Sequence, residues 1–143
     1  MQPFLGKFET PLYTALRIVA GFMFSLHGAQ KLFGFLGNKA PAGNMLMLSA
    51  GVIEFFGGIL IAIGLFTSFV AFLASGQMAV AYFKSHAPSG FWPTANHGEL
   101  AALYCFLWLF VSAHGAGPYS LDSVLFGAPR KRAGGPSSVV PGR

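Results

Sequence analysis

Long apolar runs, separated by short breaks rich in Gly, Pro and polar residues, set the pattern of this chain. Four runs stand out, over residues 12–36, 45–66, 68–86 and 99–115. Each approaches the ~20 mostly apolar residues that carry a helix across a bilayer, the last two being the shortest. The segment Gly37-Asn-Lys-Ala-Pro-Ala-Gly-Asn44 is turn-rich, and Asn44 is placed to cap the second helix. Thr67-Ser68 is expected to form a tight turn. A longer loop over 87–97 carries Trp92, a residue suited to a membrane–water interface. Asn96, or the backbone beside it, is in position to cap the fourth helix. Glu99 falls in that helix's first turn, where an acid complements the dipole. The stretch from Gly117 to Asp122 is expected to leave the membrane. The pattern therefore predicts an all-α protein: a four-helix transmembrane bundle with short loops over residues 1–126, then a flexible, disordered basic tail over 127–143. The first run does not read as a signal peptide, because it holds Arg17, His27 and Lys31 and no small-residue cleavage site follows it.

Composition strengthens the membrane reading. Only 9% of the 143 residues are charged and 54% are hydrophobic, against roughly 25% charged in soluble domains. That is too little polar surface to coat a water-soluble globule. The 16 Phe and 19 Gly agree, since membrane helices tolerate Gly and use small residues where they approach closely. The net charge of +5 is concentrated at Arg130, Lys131, Arg132 and Arg143. A Pro/Gly/Ser-rich tail of this kind suits anionic lipid headgroups. The remaining basic residues are scattered and predict no nucleic-acid partner. Lys7, Arg17 and the tail outweigh Lys39 and Lys84 of the opposite loops, so the positive-inside rule predicts both termini in the cytoplasm. The single Cys105 permits no internal disulfide, CxxC pair or thiolate zinc site, and reads as a packing residue.

Against this apolar background the ionisable residues carry the chemistry. Glu54 is the one charged residue between Ser49 and Phe66. A carboxylate in hydrocarbon costs roughly 2.5–3.5 kcal/mol on insertion scales, so it turns inward and finds a partner. On the predicted topology His27, Lys31, Glu54, Gln77, Lys84, His86, His97 and Glu99 gather toward the outer side, and Arg17, His114 and Asp122 toward the inner. Arg17, Gly21, Phe24, Gly28 and Lys31 share one stripe of the first helix, with His27 alongside. Gly51, Glu54 and Gly58 share one of the second, and Gln77, Ala81 and Lys84 one of the third. Small residues around Glu54 admit a neighbouring helix, which predicts an ion pair with Lys31 and leaves Arg17 at the wrong depth. Each residue also has a plainer reading: a packing ion pair for Lys31 and Glu54, a snorkelling Lys84, a hydrogen-bonded His27, a core His114. His27, Glu54, His97 and Glu99 match no metal-ligand spacing, and no metal site is predicted.

Four stretches together resemble the DoxX family: His27-Gly-Ala-Gln-Lys-Leu-Phe-Gly34, Glu54-Phe-Phe-Gly-Gly58, Asn96-His-Gly-Glu-Leu100 with His97 intervening, and Gly115-Ala-Gly-Pro-Tyr-Ser-Leu-Asp122. The resemblance covers about residues 12–125. It implies a four-helix protein of the bacterial plasma (inner) membrane, with His27, Lys31, Glu54, Glu99, Asp122 and Arg17 as transferable positions. Members are linked to quinone-coupled oxidation of thiosulfate and to a membrane complex with superoxide dismutase and a sulfurtransferase. The expectation is thus a redox-associated subunit that takes a quinone, needs redox protein partners for any catalysis, and is a candidate homo-oligomer in the lipid bilayer. A scaffold or assembly protein without an active site, or a transporter of small molecules or lipids, is the competing expectation.

Overall fold

A computed structural model describes residues 3–37 and 44–127. The expected basic tail and most of the first loop lie outside the described residues. What is described is helical, with no strand among these residues.

Helix α1 spans Glu9–Phe33 after a short 3-10 turn at Gly6–Phe8. It stops three residues before the expected end because Gly34 turns left-handed at φ 66° and donates its N–H to Gln30 O at 3.2 Å. Glycine takes that conformation without a Cβ clash. Helix α2 spans Met45–Ile63, and Asn44 caps it as expected, its Oδ1 accepting from Leu46 N and Met47 N at 3.1 and 3.2 Å. Gly64 ends α2 with φ 75°, short of the expected Phe66. The tight turn accordingly lies at Gly64–Phe66, and Thr67, expected in the turn, already begins α3 (Thr67–Ala81). Beyond Ala81 the helix widens into a π-turn at Tyr82–His86 and closes in a 3-10 turn at Ala87–Ser89. Pro88 cannot donate into a continuing ladder, so the helix has to end here. Helix α4 spans Glu99–His114, and a short α5 that the apolar pattern does not reveal spans Leu121–Phe126.

The helices pack as antiparallel neighbours. α1 and α2 meet backbone to backbone along the expected stripes: a methyl group at Gly58 would fall 2.5 Å from Gly21 O and from Ser25 N. α3 joins α4 through Ser75, whose Oγ donates to Cys105 O at 2.7 Å. α4 returns to α1, with the Phe24 ring 5.2 Å from Tyr104 and 5.3 Å from Trp108. Phe24, Ile61, Ala71, Ala74, Trp108 and Val111 form the centre of the buried core.

The exterior is as apolar as the core, and two charged side chains lie inside. Phe22, Phe56, Phe69, Phe72, Leu103 and Phe106 are all more than half exposed, while Arg17 and Glu54 are each 1% exposed. Contiguous apolar exteriors on this scale are not stable against water. Against lipid they cost nothing. The stretches Gly6–Phe33 and Met45–Ile63 are long and apolar enough to cross a bilayer, and Glu99–His114 is a shorter apolar helix.

After α4 the chain does not simply depart, as the sequence suggests, but folds back onto the α2–α3 turn. Asp122 donates its N–H to Gly64 O at 2.8 Å, and its carboxylate accepts from Phe66 N and Thr67 N at 2.7 and 3.0 Å. Phe66 holds a left-handed φ of 51°, unusual for a residue of its size. Asp122 thus caps α3 from 55 residues away in sequence. A side-chain cap of this kind contributes about 0.5–2 kcal/mol.

Candidate functional site

Three helices converge on Glu54. Gly51, Gly57 and Gly58 surround it on the buried face of α2. Gly51 also lies close against α1: a methyl group there would meet the Leu32 side chain at 3.0 Å and Lys31 Cβ at 3.1 Å. This close approach lets the Lys31 ammonium reach Glu54 Oε1 as an ion pair. From α3, Gln77 Nε2 donates to the same oxygen at 2.9 Å. Glu54 Oε2 and Gln77 Oε1 are buried and have no protein partner. The expected Lys31–Glu54 pairing is therefore present, with Gln77 as third member. A carboxylate pair with an acceptor still open is unusual in a dry interior, where buried polar atoms are almost all bonded.

Beside the pair lies a cavity of about 200 Å³. Phe24, Met78 and Tyr104 give it an apolar floor, and His27, Lys31, Glu54, His86 and His97 supply its ionisable rim. His27 is half-buried and stands edge-on to the Tyr104 ring at 6.4 Å. His86 Nδ1 lies 3.2 Å from Asn96 O. A carbonyl can only accept, so Nδ1 carries the proton and Nε2 is the free nitrogen of neutral His86.

Asn96 builds the loop that holds these groups, where the sequence places it as a helix cap. Its Nδ2 donates to Gly90 O at 2.6 Å and to Tyr82 Oη at 3.3 Å, and its Oδ1 accepts from Gly98 N at 2.8 Å. Gly98 is the N-cap of α4, without a side-chain cap bond. The turn leaves His97 left-handed at φ 58° and exposed on the cavity rim. Glu99 stands exposed in the first turn of α4 and does not line the cavity. Lys84 is exposed and faces a neighbouring cavity. Tyr104 escapes notice as a site residue, although one polar group within the apolar Ala101, Tyr104, Trp108, Val111 stripe of α4 is the signal that marks it.

The opposite end of the molecule is a clasp. Arg17 Nη1 donates to Ile61 O and Ala62 O at 2.7 and 3.1 Å, and Nη2 to Tyr119 O at 2.7 Å. A cation on the last carbonyls of α2 suits the helix dipole. Arg17 is thereby committed to the α2–α3 turn and kept apart from Glu54. His114 is exposed, not a core histidine, with its ring 3.9 Å from that of Tyr13. Tyr13 Oη donates to Gly115 O. Arg17, His114 and Asp122 thus occupy one end, as the sequence suggests, and their contacts are with backbone and ring. Among the described residues no group of three or more His, Cys, Asp or Glu side chains is placed to hold a metal ion.

An apolar exterior, charged side chains buried at Arg17 and Glu54, and two helices long and apolar enough to cross a bilayer fit a helical membrane protein. The DoxX family model matches residues 12–87. The chain belongs to the DoxX family. It is also 44% identical over 129 residues to an uncharacterized protein of Haemophilus influenzae (strain ATCC 51907 / DSM 11121 / KW20 / Rd), the match covering 85% of this chain and 96% of that relative. No solved structure matches the chain significantly.

Proposed function

We propose that this protein is a four-span subunit of the bacterial plasma membrane that binds a quinone headgroup in the cavity beside Glu54 and exchanges its protons, in complex with a redox partner. The observation that carries this reading is the composition of one cavity. His27, His86 and His97 stand with the Lys31–Glu54 pair around an apolar floor of Phe24, Met78 and Tyr104. A quinone ring needs apolar and aromatic surface for its faces and donors for its two oxygens. A buried Glu54 Oε2 without a protein partner and a half-buried His27 fit that donor and acceptor set.

When bound, a quinone supplies two-electron, two-proton redox chemistry. The residues of this chain supply the rest. Lys31 donates toward an oxygen, the His27 imidazole can give or accept a proton, and Glu54 offers a second proton-accepting atom. Phe24 and Tyr104 exclude water from the floor. With one cysteine the chain has no internal dithiol to cycle, so the electrons are assigned to a partner protein. Purified wild type is expected to bind a short-chain ubiquinone analogue, and His27→Ala to bind it about tenfold more weakly, equivalent to about 1.4 kcal/mol. Unchanged binding by a folded His27→Ala protein would leave the charges as packing devices and favour the scaffold reading.

The span count rests on the same architecture. α3 runs without a break through its π-turn from Thr67 to His86, which gives it the length of a third span, and the apolar α4 serves as the fourth. With the basic residues on the terminal side, the N- and C-termini lie in the cytoplasm. Reporter fusions after Asn38 and Pro93 are expected to report periplasm, and fusions after Thr67 and Ala128 cytoplasm. A periplasmic signal at Ala128 would reverse the orientation.

A further inference from the structure

A second cavity, of about 320 Å³, adjoins the first across Lys31, with Ala81 and His86 lining both. Its polar wall holds Lys31, Lys84, Asn44, Ser85 and His86, and its apolar wall holds Leu46, Met47 and Val80. The four acidic residues of the chain are Glu9, Glu54, Glu99 and Asp122. None of them lines this cavity. Glu54 is turned to Lys31 and Gln77, and among the described residues no carboxylate lies within ion-pair distance of Lys84. The uncompensated charge of the lining is therefore the Lys84 ammonium. Asn44 Oδ1 serves the α2 cap, and among the described residues its Nδ2 makes no hydrogen bond. Ser85 adds a hydroxyl. Leu46 and Val80 are about half exposed (51% and 48%), so the apolar wall opens toward the lipid-facing exterior.

We propose that this second cavity binds an oxyanion of the phosphate class carried on an apolar chain, namely the headgroup of an anionic phospholipid. The Lys84 ammonium, an amide and a hydroxyl match the acceptors of a phosphate, with Lys31 beside them already paired with Glu54. The apolar flank matches the first methylenes of an acyl chain. A snorkelling Lys84 alone would place a charge in the interface without a cavity lined by further donors. The two cavities share Lys31 and His86, and the residues that test them are separate: Lys84 does not line the first cavity and His27 does not line the second.

The test is native mass spectrometry of the full chain in detergent, titrated with phosphatidylglycerol or with zwitterionic phosphatidylcholine. Wild type is expected to retain phosphatidylglycerol preferentially. Lys84→Gln should lower that retention roughly tenfold, the loss of one charge-assisted hydrogen bond, while Lys84→Arg and His27→Ala keep it. In a parallel arm, inorganic phosphate is added to lipid-free protein and the thermal unfolding midpoint is read. A Lys84-dependent upward shift with phosphate but no retained lipid would keep the oxyanion site and assign it to soluble phosphate. Equal retention of both lipids, or equal behaviour of wild type and Lys84→Gln in both arms, would overturn the proposal.

Discussion

Lys31→Met is expected to lower the unfolding free energy of the detergent-solubilised protein by about 3 kcal/mol. Breaking a buried ion pair from one side costs roughly 3–5 kcal/mol, because the remaining charge is left without compensation. The Lys31 side chain is 28% exposed, which moves the expectation to the low end of that range. Glu54, at 1% exposed, is the partner that cannot reach water. It would retain only the Gln77 amide. Glu54→Gln should therefore be milder, since a released Lys31 can turn toward solvent while the new amide keeps a neutral contact with Gln77. The double variant should lose less than the sum of the single losses, by about 0.5–3 kcal/mol. Chemical denaturation of the four proteins measures this directly. Strict additivity would mean that the two side chains do not touch.

Gly28→Ala is expected to lower the unfolding free energy by at least about 1–3 kcal/mol, the usual range for overpacking. The added methyl would fall on the backbone of Phe55, against its nitrogen and 2.6 Å from its Cα. Backbone cannot rotate aside as the end of a side chain does. α1 and α2 would have to part, drawing Lys31 away from Glu54, so the same substitution should weaken ligand binding at the cavity. Gly76→Ala is the matched control: nothing lies within 4 Å of its new methyl, and Ala is the better helix former by ~1 kcal/mol. Thermal unfolding should separate the two variants clearly. If Gly28→Ala unfolds like Gly76→Ala, the close approach of α1 and α2 is wrong.

The glycine positions show how much of the packing was legible beforehand. Gly21, Gly28, Gly51 and Gly58 fall at helical spacing beside Glu54 and Lys31, and small residues on a polar stripe mark where membrane helices touch. The Lys31–Glu54 pair follows from the same spacing together with the cost of burying a lone acid. Gln77 was legible as a polar residue on the third helix. That it shares one oxygen of Glu54 with Lys31 depends on the rotation of α3 about its axis, which no periodicity states. Glu99, grouped with the others by depth alone, turns outward for the same reason.

Local backbone devices explain the displaced boundaries. Hydrophobicity continues past Ile63 to Phe66, yet Gly64 ends the helix, because a left-handed cap is a matter of conformation and not of polarity. Asn96 is a polar residue before a helix and so reads as a cap. In the folded chain it ties Gly90, Tyr82 and Gly98 together and sets His97 on the cavity rim.

The sequence by itself determined that the chain is helical, that it belongs with lipid, that Glu54 needs a cation and that Lys31 is within reach. These follow from period, composition and the cost of charge in an apolar medium, all of which are local or additive along the chain. Only the tertiary structure decided that Asp122 caps α3, that Arg17 clasps Ile61, Ala62 and Tyr119, and that Tyr104 joins His27, His86 and His97 around one cavity. Those contacts join residues far apart in sequence, such as Asp122 and Thr67. Their geometry depends on how the helices are rotated and shifted against one another, which the close α1–α2 contact and the Gly64–Phe66 turn set together.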